Sequence, residues 1–196
     1  MKKIAYLFMF LLASSANAVI IDFEEIDNTG GNAFSGSSLD TQGFNLSNSA
    51  GSAYAILHWG LGDSFNADVD GVTYSHNYGG STSTLTQLGG GAFDLNSIDF
   101  GNVYNNRPYA QEFEVNGFYE AGGGISTTLT SDEFAGLETF TFNWEGLSSV
   151  TWTEISGTWL QLDNIVLNAS VPEPSTLALF GLGLLGLSLS RKKKAA

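Results

Sequence analysis

Apolar and polar residues alternate at every second position through much of the middle of this chain. Phe140, Phe142 and Trp144 fall on one face of an extended segment, with Thr139, Thr141 and Asn143 on the other. Val150 and Trp152 repeat the pattern. A period of two is the mark of a half-buried strand. Runs rich in β-branched and aromatic residues predict strands over Val19–Glu24, Ala53–Trp59, Val72–Ser75, Ser81–Leu88, Phe93–Phe100, Glu112–Phe118, Ile125–Thr130, Thr139–Trp144, Ser149–Glu154 and Trp159–Leu167. Asp70-Gly71, Gly79-Gly80, Gly89-Gly90-Gly91, Asn116-Gly117 and Gly122-Gly123-Gly124 read as turns between them.

In two places the alternation slips. Phe93 and Leu95 give way to Ile98 and Phe100 across Asn96-Ser97. Leu160 and Leu162 give way to Ile165 and Leu167 across Asp163-Asn164. A slip of one residue sends side chains to the opposite face, so each predicts a β-bulge or sharp bend. Many short strands and no internal repeat predict an all-β fold, a two-sheet antiparallel jelly-roll-like sandwich over residues 19–170.

The two ends break this pattern. Lys2 and Lys3 precede an apolar run, Ile4–Leu12, and then Ala16-Asn17-Ala18. This order predicts a signal peptide helix over residues 1–18, cleaved after Ala18 with Ala16 and Ala18 as the small residues of the site. After Ser170 comes Val171-Pro172-Glu173-Pro174-Ser175-Thr176, an extended and accessible segment because prolines two apart forbid helix and strand. Leu177–Leu189 is apolar apart from Ser188, and Arg191-Lys192-Lys193-Lys194 closes the chain with positive charge. These predict a short transmembrane helix over 177–190 and a cytoplasmic basic tail over 191–194.

In that order and place, Val171–Ala196 resembles the PEP-CTERM sorting signal of Gram-negative bacteria. The resemblance implies an exported protein, handled by the secretion machinery and by an exosortase acting at or near Pro172, Glu173 and Pro174. It implies a transient anchor in the inner membrane through the C-terminal helix, with the domain outside. It implies the cell surface or extracellular matrix as the final destination, with a link to exopolysaccharide and biofilm. The stretches Gly90–Phe100, Leu147–Trp152 and Leu162–Leu167 resemble the largely uncharacterised jelly-roll modules that precede such tails.

Charge narrows the partners. Of the 20 Asp and Glu residues only Glu173 lies outside Val19–Ser170, and of the 7 Lys and Arg only Arg107 lies inside it. Such a domain repels nucleic acid and attracts divalent or basic groups. The chain has no cysteine and only His58 and His76 as histidines. No nucleophile or metalloprotease motif is present, so the reading is of a non-catalytic protein without a cofactor. A structural calcium has two candidate sites. Asn66, Asp68 and Asp70 occupy the first, third and fifth places of a partial calcium loop with Gly71 sixth; the same residues also read as an Asp-Gly hairpin turn between Val69 and Val72. Those jelly-roll modules distantly resemble carbohydrate-binding sandwiches, and that resemblance implies Asp22, Glu24 and Asp163, on the first and last strands, as the other candidates. Trp59, Tyr74, Tyr78, Tyr104, Tyr109 and Trp159 suggest a sugar platform, with Trp59, Tyr104, Tyr109 and Trp159 as the candidate ligand-binding rings. The expected role is binding of exopolysaccharide or another matrix component. The alternatives are a purely structural or adhesive matrix protein and, last, a polysaccharide hydrolase.

Overall fold

Most of the alternating segments form strands. The computed structural model describes residues 18–26, 31–102, 109–155 and 159–168. The twelve strands are β1 (Val19–Ile21), β2 (Asn32–Phe34), β3 (Ser38–Thr41), β4 (Phe44–Asn48), β5 (Ile56–Trp59), β6 (Thr73–His76), β7 (Ser83–Gln87), β8 (Phe93–Asn102), β9 (Glu112–Tyr119), β10 (Gly124–Thr130), β11 (Leu137–Glu154) and β12 (Leu160–Leu167). Among the described residues there is no helix long and apolar enough to cross a membrane. The signal peptide helix, Ala16, the sorting motif at Pro172, Glu173 and Pro174, the C-terminal helix and Tyr104 lie outside the described residues.

All pairing is antiparallel, in the order β2-β5-β6-β12-β8-β11-β7-β4-β3, with β1 on β12 and β10 joined through β9 to β11. Strand β11 makes this one hydrogen-bonded path into two layers. Its first half pairs with β8, from Leu137 opposite Gly101 to Leu147 opposite Phe93. Its last residues pair with β9 and β7, so that Val150 faces Gly117 on one side and Leu85 on the other. The register shifts twice between Thr141 and Leu147, and Asn143 and Gly146 there take φ of 52° and 69°. Bulges of this kind bend a strand and increase its twist.

Rings on strands that do not pair then meet, edge-on or tilted. Phe100 of β8 lies 4.4 Å from Phe113 of β9, Phe44 of β4 5.3 Å from Phe93 of β8, and Tyr74 of β6 6.2 Å from Trp152 of β11. These contacts cross the gap between layers, and the fold is the two-sheet sandwich expected. Each such buried ring contributes about 2–3 kcal/mol by leaving water.

Both bulges fall where the phase slips. Phe93, Leu95, Ile98 and Phe100 are all buried, as are Leu160, Leu162, Ile165 and Leu167. The register of β12 on β8 shifts between Asp163 and Val166, with Asn164 at φ 46°.

Other expectations are corrected. Thr139–Trp144 and Ser149–Glu154 are one strand. Asn116-Gly117 lies inside β9, where a Cβ on residue 117 would stand 2.9 Å from both Leu147 Cδ2 and Trp144 Cε3. Glycine is there for close packing and not for a turn. Asp70-Gly71 is no hairpin, since residues 66–72 are irregular. Strands β2, β3 and β4 were not foreseen.

A polar network is buried between the layers. His76 Nε2 meets the Glu154 carboxylate, and Ser83 Oγ lies 3.3 Å from His76 Nδ1, 2.7 Å from Tyr74 Oη and 3.2 Å from Asn48 Nδ2. The order Ser-His-Glu is that of a hydrolytic triad. Ser83 is wholly buried and already bonded on three sides, so the arrangement is structural. Burial pushes the Glu154 carboxyl up to about 8 and the His76 imidazole down to about 4, leaving one proton on the pair between those values.

A raised carboxyl contributes stability that is full below its unfolded pKa and lost as pH rises through the folded one. A lowered histidine contributes stability present above its unfolded pKa and lost as pH falls through the folded one. Thermal melts should therefore be highest in mildly acidic buffer and fall as pH rises from 6.5 toward about 8. Glu154→Gln should flatten much of that fall, leaving the share due to Asp163. An unchanged alkaline slope in the variant would contradict the assignment.

Candidate functional site

The first layer has an outer face as well as a core face. On β5, Ile56 and His58 point inward, and His58 sits 6.1 Å from the rings of both Phe23 and Tyr74. Burial lowers the His58 pKa to about 4, so it is neutral and structural. Leu57 and Trp59 point the other way, into a small separate cluster completed by Trp159.

The 60–71 loop is strapped over this outer face. Gln161 Oε1 accepts from Ala67 N at 2.9 Å, and Gln161 Nε2 donates to Phe65 O at 2.6 Å and Asn102 O at 3.1 Å. Asn66 Nδ2 donates to Gly60 O and Gly71 O, while its Oδ1 accepts from Asp68 N and Thr73 Oγ1. Asn66 is thus consumed in holding the loop and offers no oxygen to a cation. A Cβ on Gly101 would lie 2.7 Å from Ala67 Cβ, so only glycine lets the loop sit this close to β8.

The strap regroups the two sets of acids. Asp68, Glu24 and Asp22 all lie within electrostatic reach of Asp163, whereas Asp70 stays at the surface. Glu24 Oε1 accepts from Val72 N at 2.8 Å. A side chain on residue 71 would collide with both Glu24 Oε1 and Asp68 Oδ2, so the two carboxylates share the space that Gly71 leaves open. Phe23, between Asp22 and Glu24, takes φ of 56° and sends its ring into the core, 5.7 Å from Tyr74. Asp163 is 1% exposed and its Oδ1 has no hydrogen-bond partner. Burial, and then the charges of Asp68, Glu24 and Asp22, push its carboxyl up to about 8. Among the described residues no three His, Cys, Asp or Glu side chains converge into a formed metal shell. What fits calcium is the chemistry: hard oxygen donors, excess negative charge and one orphaned buried oxygen.

Of the candidate rings, Trp59 and Trp159 are brought together, with Phe65 5.7 Å from Trp59. Trp59 is only 5% exposed, so it supports the surface and does not present a stacking face. The Trp159 carbonyl accepts from Gln111 Nε2 at 3.1 Å, and Tyr109, two residues earlier, is half-exposed.

A different set of rings is open to solvent. Phe34 of β2 and Tyr54 meet edge to face at 5.3 Å, and Ser52 Oγ bridges to Tyr54 N at 3.2 Å and Tyr78 Oη at 3.0 Å. Phe34, Tyr54 and Tyr78 are 44%, 58% and 40% exposed. No charged residue occurs between Asp40 and Asp63 or between Asp70 and Asp94. Tyr54 and Tyr78 therefore sit in chain stretches without charge, and Phe34 in the shorter one between Asp27 and Asp40. The strand expected over Ala53–Trp59 includes Tyr54. The strand starts only at Ile56, and the turn before it swings Tyr54 outward.

The C-terminal segment is decided by comparison. Residues 170–192 match the family model described as the PEP-CTERM protein-sorting motif. The chain carries a PEP-CTERM sorting motif. The motif marks an exported protein with a C-terminal sorting signal. No curated protein matches the chain. Among solved structures, an F5/8 type C domain from Bacteroides fragilis is similar over 67% of this chain and 95% of its own, at 10% identity and a TM-score of 0.43. A family 32 carbohydrate-binding module of NanJ from C. perfringens, in complex with galactose, covers 64% and 97% at 12% identity and 0.38. A family 61 module with β-1,4-galactotriose covers 63% and 86% at 12% identity and 0.41. Likeness at this level bears on neither ligand nor activity.

Gly101→Ala should destabilise the domain by about 1–3 kcal/mol through overpacking beneath the strap. Urea unfolding checks this; a neutral or stabilising result would mean that the loop does not rest on β8.

Proposed function

We propose that this is an exosortase-sorted matrix protein whose sandwich binds polysaccharide through Phe34, Tyr54 and Tyr78. The exposure of these three rings, clustered on chain stretches without charge, is the observation that carries the reading. An aromatic ring stacks on the apolar face of a sugar, and the Tyr54, Tyr78 and Ser52 hydroxyls offer hydrogen bonds beside it. The surrounding acids favour an uncharged or amino polysaccharide over a polyanion. In this reading the signal peptide directs export and Leu177–Ser190 holds the chain briefly in the inner membrane. The exosortase then acts at or near Pro172-Glu173-Pro174, leaving the domain at the surface or in the matrix. The sandwich serves as a binding module and not as a catalyst.

The full chain should be retained by insoluble neutral polysaccharides, and Tyr54→Ala should weaken retention about tenfold, the equivalent of roughly 1.4 kcal/mol. Retention equal to wild type in Tyr54→Ala would remove the site. A folded chain that binds no polysaccharide would favour the purely structural or adhesive role.

The same reading gives the acidic cradle a structural calcium, held by Asp22, Glu24, Asp68 and Asp163. The ion would neutralise repulsion and tie the start of the domain to its last strand. Calcium should then raise the melting temperature of the wild-type chain above its value in chelator. Asp163→Asn should melt higher than wild type in chelator, because a buried carboxylate is removed, and should lose the calcium response. Identical melts with calcium and chelator in the wild-type chain would end the proposal.

A further inference from the structure

Strand β10 is a long sheet edge with none of the usual protection. Among the described residues it pairs only with β9. Tyr119 N donates to Gly123 O, and Ser131 N donates to Gln111 O. In the register of Ile125 opposite Gly117, these bonds assign the odd-numbered residues of β10 to β9. The N–H and C=O groups of Gly124, Ser126, Thr128 and Thr130 therefore point out of the sheet. Exposed edges are normally blunted by charge, proline, bulges or short length. Strand β3 is four residues long and carries Asp40; β1 and β2 have three residues each. Strand β10 has seven residues and no bulge, and no charged residue lies between Glu120 and Asp132.

The sequence of this edge is self-complementary. Laid antiparallel on a copy of itself about Thr127, Gly-Ile-Ser-Thr-Thr-Leu-Thr sets Ile125 against Leu129, Ser126 against Thr128 and Gly124 against Thr130. The outward-pointing residues pair only with one another in this register, as hydrogen-bonded pairs, and Thr127 meets its copy as the non-bonded pair on the axis. Ile125 and Leu129 pack on the core side, so their row would continue the apolar face of one sheet into the next. Ser126 and Thr128 are exposed, and hydroxyls in that position form favourable cross-strand pairs. Elsewhere the acidity of the domain opposes self-association; β10 itself carries no charge, and Glu112 and Glu114 lie one strand away on β9.

We infer that β10 joins β10 of a second copy of this chain across a two-fold axis at Thr127, fusing two sheets into one. The pairing presents two copies of any ligand site together, which multiplies avidity for a repeating polymer.

The chain has no cysteine, so single cysteines report the register cleanly. In the full-length chain in mild detergent, Thr127→Cys should form a disulfide-linked dimer on gentle oxidation, because paired non-bonded residues have Cα atoms about 4.5 Å apart. Thr130→Cys should not, being roughly 20 Å from its copy in this register. Adding Thr128→Pro, which removes an edge N–H and leaves the β9 ladder intact, should abolish the cross-link. Sedimentation should likewise show a dimer for wild type and a monomer for Thr128→Pro. A wild-type monomer, or a Thr127→Cys chain that melts normally and does not cross-link, overturns the inference. Equal cross-linking by Thr130→Cys overturns it too.

Discussion

The change of layer within Leu137–Glu154 is the constraint on which the other features depend. A strand this long must leave the first sheet to enter the second, and it does so through two register shifts around Asn143 and Gly146. The bend brings Trp152 over Tyr74, and Phe113 over Phe100, to make the core. It also demands glycine at 117, where Trp144 and Leu147 crowd β9. Residues on the outer faces are then free to serve purposes other than packing. One outer face carries the strapped 60–71 loop, and its margin carries the open rings.

Charge is distributed with the same economy. Most acids remain hydrated at the surface; the buried exceptions are Glu154, which is paired with His76, and Asp163, which lies under the strap near the charges of Asp68, Glu24 and Asp22. A buried carboxylate with one oxygen unpaired is costly, and the repulsion is relieved either by a proton or by a cation. Tyr54 and Tyr78 of the aromatic cluster lie in long stretches without charge. Binding of an uncharged polymer there meets no desolvation of ions, and the acidic remainder keeps the domain soluble.

Much of the architecture was legible in the alternation. Strands from β5 onward, the two bulges and the sandwich all follow from it, because a half-buried strand must show its period. The first strands were not legible: Asn32–Phe34 is too short to display a period, and Ser38–Thr41 carries only one apolar residue, Leu39. The acids of the cradle were each visible, but as two separate sets. Only the Gln161 and Asn66 bonds that fasten the loop bring Asp68 to Asp163. The rings were harder still. Large aromatics read as binding residues by size, yet Trp59 is packed under Trp159, while Tyr54 escapes the core through a turn that alternation cannot reveal. The sorting motif needed no fold at all, since its meaning lies in residue order at the chain end.

The central claim is that polysaccharide binds at the exposed rings and not at the tryptophans. Amide hydrogen exchange of the full chain, with and without a neutral polysaccharide, tests it directly. The account predicts slowed exchange confined to segments 34–36, 52–56 and 77–80, with 109–111 and 159–161 unchanged. Protection centred on Trp159, or none anywhere with ligand in excess, would contradict it.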